Sequence, residues 1–133
     1  MQIVIQYLSG GDAGRRDVFP LPQEGKSIVI GRGEECEIRL DLRKDLEVST
    51  RHAELYLDPQ RGLCLRDLGS TNGTLIDGES IEDAPISSGA KIELGAGGVL
   101  LRLKLKKSLG EWLTGKNPAA PPKSADPASK GTP

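Results

Sequence analysis

The chain has 133 residues, a formal net charge of −1, one histidine and two cysteines. That length holds one ordinary domain with a core of its own, plus a tail. The near-neutral balance excludes a nucleic-acid binder, which needs a basic field to displace phosphate counterions, and no apolar run is long enough to span a membrane.

The chain opens Met1-Gln2-Ile3-Val4-Ile5-Gln6-Tyr7, with no basic start, long apolar region or cleavage site. This predicts a cytoplasmic protein. Cys36 and Cys64 lack the further ligands of a structural zinc site and are read as reduced thiols, with no metal. Ile3, Ile5 and Tyr7 alternate with polar neighbours, which predicts a half-buried strand ended by Ser9-Gly10-Gly11-Asp12. Leu8-Ser9-Gly10-Gly11 matches part of a transporter-ATPase signature, but the chain lacks the surrounding domain and the stretch reads as a turn.

Phe19 and Leu21, interleaved with Pro20 and Pro22, suit an edge strand, because proline cannot donate to a ladder. Ser27-Ile28-Val29-Ile30 follows as a short buried strand. Gly25-Lys26-Ser27 imitates the end of a phosphate-binding P-loop, but the leading glycine falls on Pro20. After Gly31-Arg32-Gly33, Glu37 to Asp41 alternates as a strand, and Leu42 to Glu47 forms a charged, exposed connection to Val48-Ser49-Thr50-Arg51-His52.

Ala53, Leu55 and Leu57 predict one face of the next strand, and His52, Glu54, Tyr56 and Asp58 the other. Asp58-Pro59-Gln60-Arg61-Gly62 turns the chain into a strand over Leu63 to Leu68. Gly69 to Gly73 follows as a polar loop. Asn72-Gly73 supplies positive φ at successive positions of a hairpin-like reversal, which presents the hydroxyls of Ser70, Thr71 and Thr74. Thr74-Leu75-Ile76 leads to a second tight turn at Asp77-Gly78, and Lys91 to Leu94 and Val99 to Leu105 form a final hairpin. Gly95-Ala96-Gly97-Gly98 between them is no dinucleotide fingerprint, since no helical pattern follows. No cofactor is called for. Many short strands at close spacing predict an all-β sandwich or barrel.

Beyond residue 105, Ser108-Leu109-Gly110-Glu111 has capping-box spacing, and Leu109, Trp112 and Leu113 recur at helical spacing, so a short helix is expected over 106–116. Trp112 is expected to staple onto the sandwich. Residues 117–133, dominated by Pro, Ala, Ser and Lys, are expected to form a disordered tail or linker.

Taken singly, Arg32 reads as a solvated loop arginine, Ser49 as a turn cap and Ser70 to Thr74 as good turn chemistry. Taken in order, Gly31-Arg32, Ser49-Thr50-Arg51-His52 and Leu68-Gly69-Ser70-Thr71-Asn72-Gly73-Thr74 on an all-β chain resemble a forkhead-associated (FHA) domain over roughly residues 1–105. The resemblance implies a β-sandwich of two twisted, mainly antiparallel sheets with binding loops at one end. It further implies a non-catalytic adaptor that binds phosphothreonine in a partner protein modified by a Ser/Thr kinase. By resemblance Arg32 makes the charged contact, Ser49 and Thr50 add hydroxyls, Thr71 flanks the phosphate and the threonine methyl, and Asn72 holds the ligand backbone. Gly31, His52 and Gly73 then shape and brace the loops.

A dianionic phosphate held by one guanidinium and several hydroxyl and amide donors agrees with that assignment on chemical grounds. Arg43 and Lys44 would favour an acidic ligand residue near the phosphothreonine, whereas Glu47 would oppose one. A Ser49–His52 hydrolase lacks an orienting acid and a nucleophile elbow. The alternative in another class is a phosphate-independent assembly module that uses the same loops. Self-recognition is a further expectation, because Ser108, Thr114, Ser124, Ser129 and Thr132 lie on or near the tail.

Overall fold

A computed structural model describes residues 1–107; of the helix expected over 106–116, Lys106 instead ends a strand, and the part from Ser108 on lies, with Trp112, the tail and its phosphorylatable residues, outside the described residues. Among the described residues eleven strands run in chain order: β1 (Gln2–Tyr7), β2 (Arg16–Pro20), β3 (Ser27–Gly31), β4 (Ile38–Arg39), β5 (Ala53–Asp58), β6 (Gly62–Asp67), β7 (Thr74–Ile76), β8 (Glu79–Ile81), β9 (Asp83–Pro85), β10 (Lys91–Leu94) and β11 (Val99–Lys106). One sheet has the order β2-β1-β11-β10-β7-β8, the other β4-β3-β5-β6-β9, and β3 with β4 is the parallel pair.

The alternation read in β1 and β11 sets the register. Ile3, Ile5 and Tyr7 stand opposite Leu105, Leu103 and Leu101, and their shared face is buried. In the other sheet Leu55 sits between Ile28 and Leu65 on adjacent strands. These faces close one hydrophobic core, which Val48, Ile92 and Leu94 extend. β2 takes an edge, as suits a strand that ends in Pro20. Among the described residues no helix is long and apolar enough to cross a membrane.

Three local expectations change. The strand expected over Glu37 to Asp41 shrinks to two residues, because Glu37 meets Val29 N–H with its carboxylate (2.8 Å) rather than its backbone, and Asp41 N–H turns to the Asp45 carboxylate (3.1 Å). The segment after β6 is no hairpin: β6 pairs with β5 and β9, whereas β7 pairs with β8 and β10, so the polar loop carries the chain from one sheet to the other. Asn72 accordingly keeps an ordinary φ and only Gly69 and Gly73 turn positive there; the pair with two positive φ values is Asp77 (50°) and Gly78 (87°), which join β7 to β8. β8 and β9 carry Glu, Asp and Pro without alternation, so their sequence gives no strand signal.

Candidate functional site

Three of the loops read from the sequence converge at one end of the sandwich, and hydrogen bonds tie them together. Where β3 ends, Arg32 N–H donates to Ser49 O (3.2 Å) and Gly33 N–H to Thr50 O (3.0 Å). The approach is close enough that a Cβ on Gly31 would sit 2.2 Å from Thr50 O, so only glycine fits. The Arg32 side chain runs along the same seam, with Nε donating to Val48 O (2.5 Å) and Nη1 to Leu42 O (3.0 Å). Its Nη2 makes no hydrogen bond among the described residues.

His52 links the second loop to the third. Its Nδ1 accepts from Ser49 N–H (3.0 Å), so the ring proton lies on Nε2, which donates to Gly73 O (2.7 Å). The ring is fully buried, and burial lowers its pKa below the usual imidazole value although the Gly73 carbonyl and nearby Asp67 pull the other way. A neutral imidazole is what the geometry needs, since protonated Nδ1 could no longer accept from Ser49. Ser49 Oγ accepts from Thr71 N–H (3.1 Å), which leaves its own proton to give.

The third loop is built on Asp67, which sequence reasoning passed over. Its carboxylate accepts from Ser70 Oγ (2.5 Å), Thr74 Oγ1 (2.6 Å), Ser70 N–H (3.0 Å) and Gly69 N–H (2.9 Å). Partial burial raises the carboxyl pKa, but those four donors outweigh it and hold it below the usual carboxylate range. Two of the three hydroxyls expected to face a ligand therefore point inward, and Thr74 is fully buried; Thr71 stays exposed. An aspartate two residues before a glycine in a polar loop is the signature of an Asx turn, here the Gly69 N–H to Asp67 bond, and that signal could have found Asp67.

Asn72 is exposed, and its Nδ2 donates to Glu47 O (2.9 Å), which leaves Oδ1 and the second amide hydrogen for other partners. Thr50 is exposed beside Arg32 and Gly33. Two further turns complete this end. Gly95 N–H donates to Gly73 O (2.8 Å), which packs the turn between β10 and β11 behind Asn72. Asp45, almost fully buried, accepts from Gly11 N–H (2.9 Å) and Asp41 N–H (3.1 Å) and so clamps the Ser9 to Asp12 turn onto the Leu42 to Glu47 loop. Among the described residues no group of histidine, cysteine or carboxylate side chains could hold a metal ion.

Comparison with known proteins gives this geometry a context. FHA domain-containing protein FhaA of Mycobacterium tuberculosis is 38% identical over 81 residues, which cover 61% of this chain and 14% of FhaA. Glycogen accumulation regulator GarA of Mycolicibacterium smegmatis is 36% identical over 86 residues, 65% of this chain and 49% of GarA. The chain thus matches half or less of these relatives. A structure from a study of phosphothreonine-dependent FHA domain interactions superposes with a TM-score of 0.64 at 29% identity, over 81% of this chain and 100% of the other. The FhaA FHA domain complexed with the intracellular domain of Rv3910 does so at 0.61 and 29%, over 77% and 99%. The FHA domain family model matches residues 28–95, just over half of the chain and the stretch that contains all three loops, so this chain belongs to the FHA domain family.

Proposed function

We propose that this loop end binds phosphothreonine in a partner protein and that the chain acts as a non-catalytic signalling adaptor in the cytoplasm. The observation that carries the reading is the Arg32–Ser49–Thr71 cluster. A guanidinium with a free Nη2, a hydroxyl with a free proton and an exposed threonine stand on loops held in place by His52. Arg32 supplies the charge, Ser49 and Thr50 supply hydroxyls to the phosphate oxygens, and Thr71 packs against the threonine methyl. Asn72 holds the ligand backbone through Oδ1 while its Nδ2 stays on Glu47 O. Gly31, His52 and Gly73 shape the loops. The family membership supports the reading, as does the structural similarity to a domain studied for phosphothreonine-dependent interactions. A Ser/Thr kinase would make the ligand. Buried, unpaired Cys36 and Cys64 suit a reducing compartment. The binding unit is taken as residues 1–105, with 106–116 and 117–133 as separate segments.

Fluorescence-anisotropy titration with phosphothreonine, phosphoserine and unphosphorylated versions of one peptide tests this. Saturable binding to the phosphothreonine form alone is the expected result. Arg32→Ala should weaken it about 10- to 100-fold, the value of one or two charge-assisted hydrogen bonds. Equal affinity for the unphosphorylated peptide would favour the phosphate-independent assembly reading. That second reading draws on one feature, the commitment of Arg32 Nε and Nη1 to backbone carbonyls.

A further inference from the structure

The outer face of the six-stranded sheet carries charges that none of the roles above uses. Alternation fixes which residues stand on it. Ile3, Ile5 and Tyr7 turn to the core, so Gln2, Val4 and Gln6 turn outward. The register sets Arg16 beside Gln6 on one side, and Arg102, Lys104 and Lys106 beside Gln6, Val4 and Gln2 on the other. Lys91 stands opposite Arg102, and Glu93, opposite Leu100, is the one acid on this face among the described residues; its carboxylate already accepts Gly97 N–H.

The two outer faces of the sandwich spend their charges differently. On the five-stranded sheet Glu54 is paired with Arg66 (2.5 Å), and Asp58 and Asp83 with Arg61 (3.4 and 3.2 Å). On the six-stranded sheet Arg16, Lys91, Arg102, Lys104 and Lys106 enter no ion pair among the described residues. Arg102 Nη1 donates to Gly89 O at 3.4 Å. Lys91 and Arg102 are like charges directly opposed across two strands, an arrangement that costs a sheet stability. An external polyanion would relieve it.

Residues that alternate along a strand are about 7 Å apart and adjacent strands about 5 Å, so the five cations share a patch about 14 Å on a side. The formal net charge of −1 does not oppose this field. Stacked sheets lie about 10 Å apart, beyond the screening length of about 8 Å at physiological salt, so the far sheet's carboxylates are screened from it.

The make-up of the face selects the polyanion. It has no aromatic side chain, which single-stranded nucleic acid would stack on and a protein partner would use as an anchor. Three of its five cations are lysines, point charges that are depleted at protein interfaces and suited to a diffuse anionic plane. Val18, 50% exposed beside Val4 on the edge strand, adds an apolar side chain for the headgroup level. Arg102 lies three residues into β11 from Val99 at the loop end, about 10 Å along the strand, so a bilayer against the patch leaves the loops open at its side.

We propose that the outer face of the six-stranded sheet is a docking surface for an anionic lipid bilayer, which holds the domain flat on a membrane while its loop end stays free. Lipid binding by this face is independent of what the loops bind.

The test is co-sedimentation of the full chain with vesicles of phosphatidylcholine alone and of phosphatidylcholine mixed with phosphatidylglycerol. Sedimentation with the anionic vesicles only, reversed by raised salt, is the expected result. Lys104→Gln/Lys106→Gln should lower the partition coefficient about 25-fold, at about fivefold per cation removed. Lys26→Gln/Arg51→Gln removes the same charge just ahead of β3 and β5 in the other sheet, and should change it by less than about twofold. All four residues are exposed, so neither variant disturbs the core. An equal loss in both double variants would reduce the attraction to net charge and overturn the docking face. No gain from phosphatidylglycerol in the wild type would overturn it too, and binding of polyglutamate without binding of vesicles would assign the face to an acidic protein instead.

Discussion

The single histidine decides how the binding end responds to pH. His52 is buried neutral, its pKa lowered by burial, while in the unfolded chain it titrates near the free value of about 6.5. The unfolded state therefore binds its proton first. Stability is fully present above that value and declines as pH falls through it toward the lower folded pKa, by at most about 1.4 kcal/mol per pH unit. Urea denaturation without ligand should show lower stability at pH 5.5 than at pH 7.5, and His52→Asn should be less stable throughout but flatter across that window. An undiminished slope in the variant would place the titrating group elsewhere. Asp67 works in the same direction at lower pH, because its depressed folded pKa gives stability that is lost only as pH falls below the ordinary carboxylate range.

At the scale of elements, the strands were legible wherever apolar and polar residues alternate in the sequence, as in β1, β5 and β11, although burial itself alternates only in β11 of these three. β8 and β9 were not, since three-residue strands at sheet edges owe their existence to partners rather than to pattern. The loops divide in the same way. Gly31, Arg32, Ser49, His52, Thr71 and Asn72 stood out as residue types, and the fold brings them to one end. The carboxylates that hold the loops did not stand out. Asp45 meets Gly11 across 34 residues of sequence, and no local signal encodes that reach. Gly31 gives the element-scale prediction. A Cβ there meets Thr50 and Ser49 backbone atoms, so Gly31→Ala should force β3 away from the Ser49–Thr50 segment. The expected cost is about 1–3 kcal/mol, with a clear loss of phosphopeptide affinity. Gly14→Ala is the control: its φ of 93° makes alanine strained, but nothing lies within 4 Å of the new Cβ. It should cost about 1 kcal/mol and leave affinity unchanged. Urea denaturation and anisotropy on both variants decide it; unaltered binding by Gly31→Ala would sever the strand end from the site.

For the molecule as a whole, the sandwich and the site divide the work. The core lies between the two sheets and is almost wholly aliphatic, whereas the loop end is held by polar contacts to backbone atoms from four turns. Loops fixed in this way do not need the core to be at its best, only to be folded. Leu103 tests that separation. It is fully buried in β11, opposite Ile5 in β1 and bonded through its amide to Ala90 O, and it contributes no atom to the loop end. Leu103→Ala should cost about 2–5 kcal/mol in transfer free energy and cavity, and lower Tm by many degrees. Below the new transition, however, its Kd for a phosphothreonine peptide should stay within about twofold of wild type, since contacts this far apart are usually additive. A matching collapse of affinity in the still-folded protein would mean that the strain of core repacking reaches the loops. Asp45 and Asp67 would then position the site only as firmly as the sheets beneath them allow.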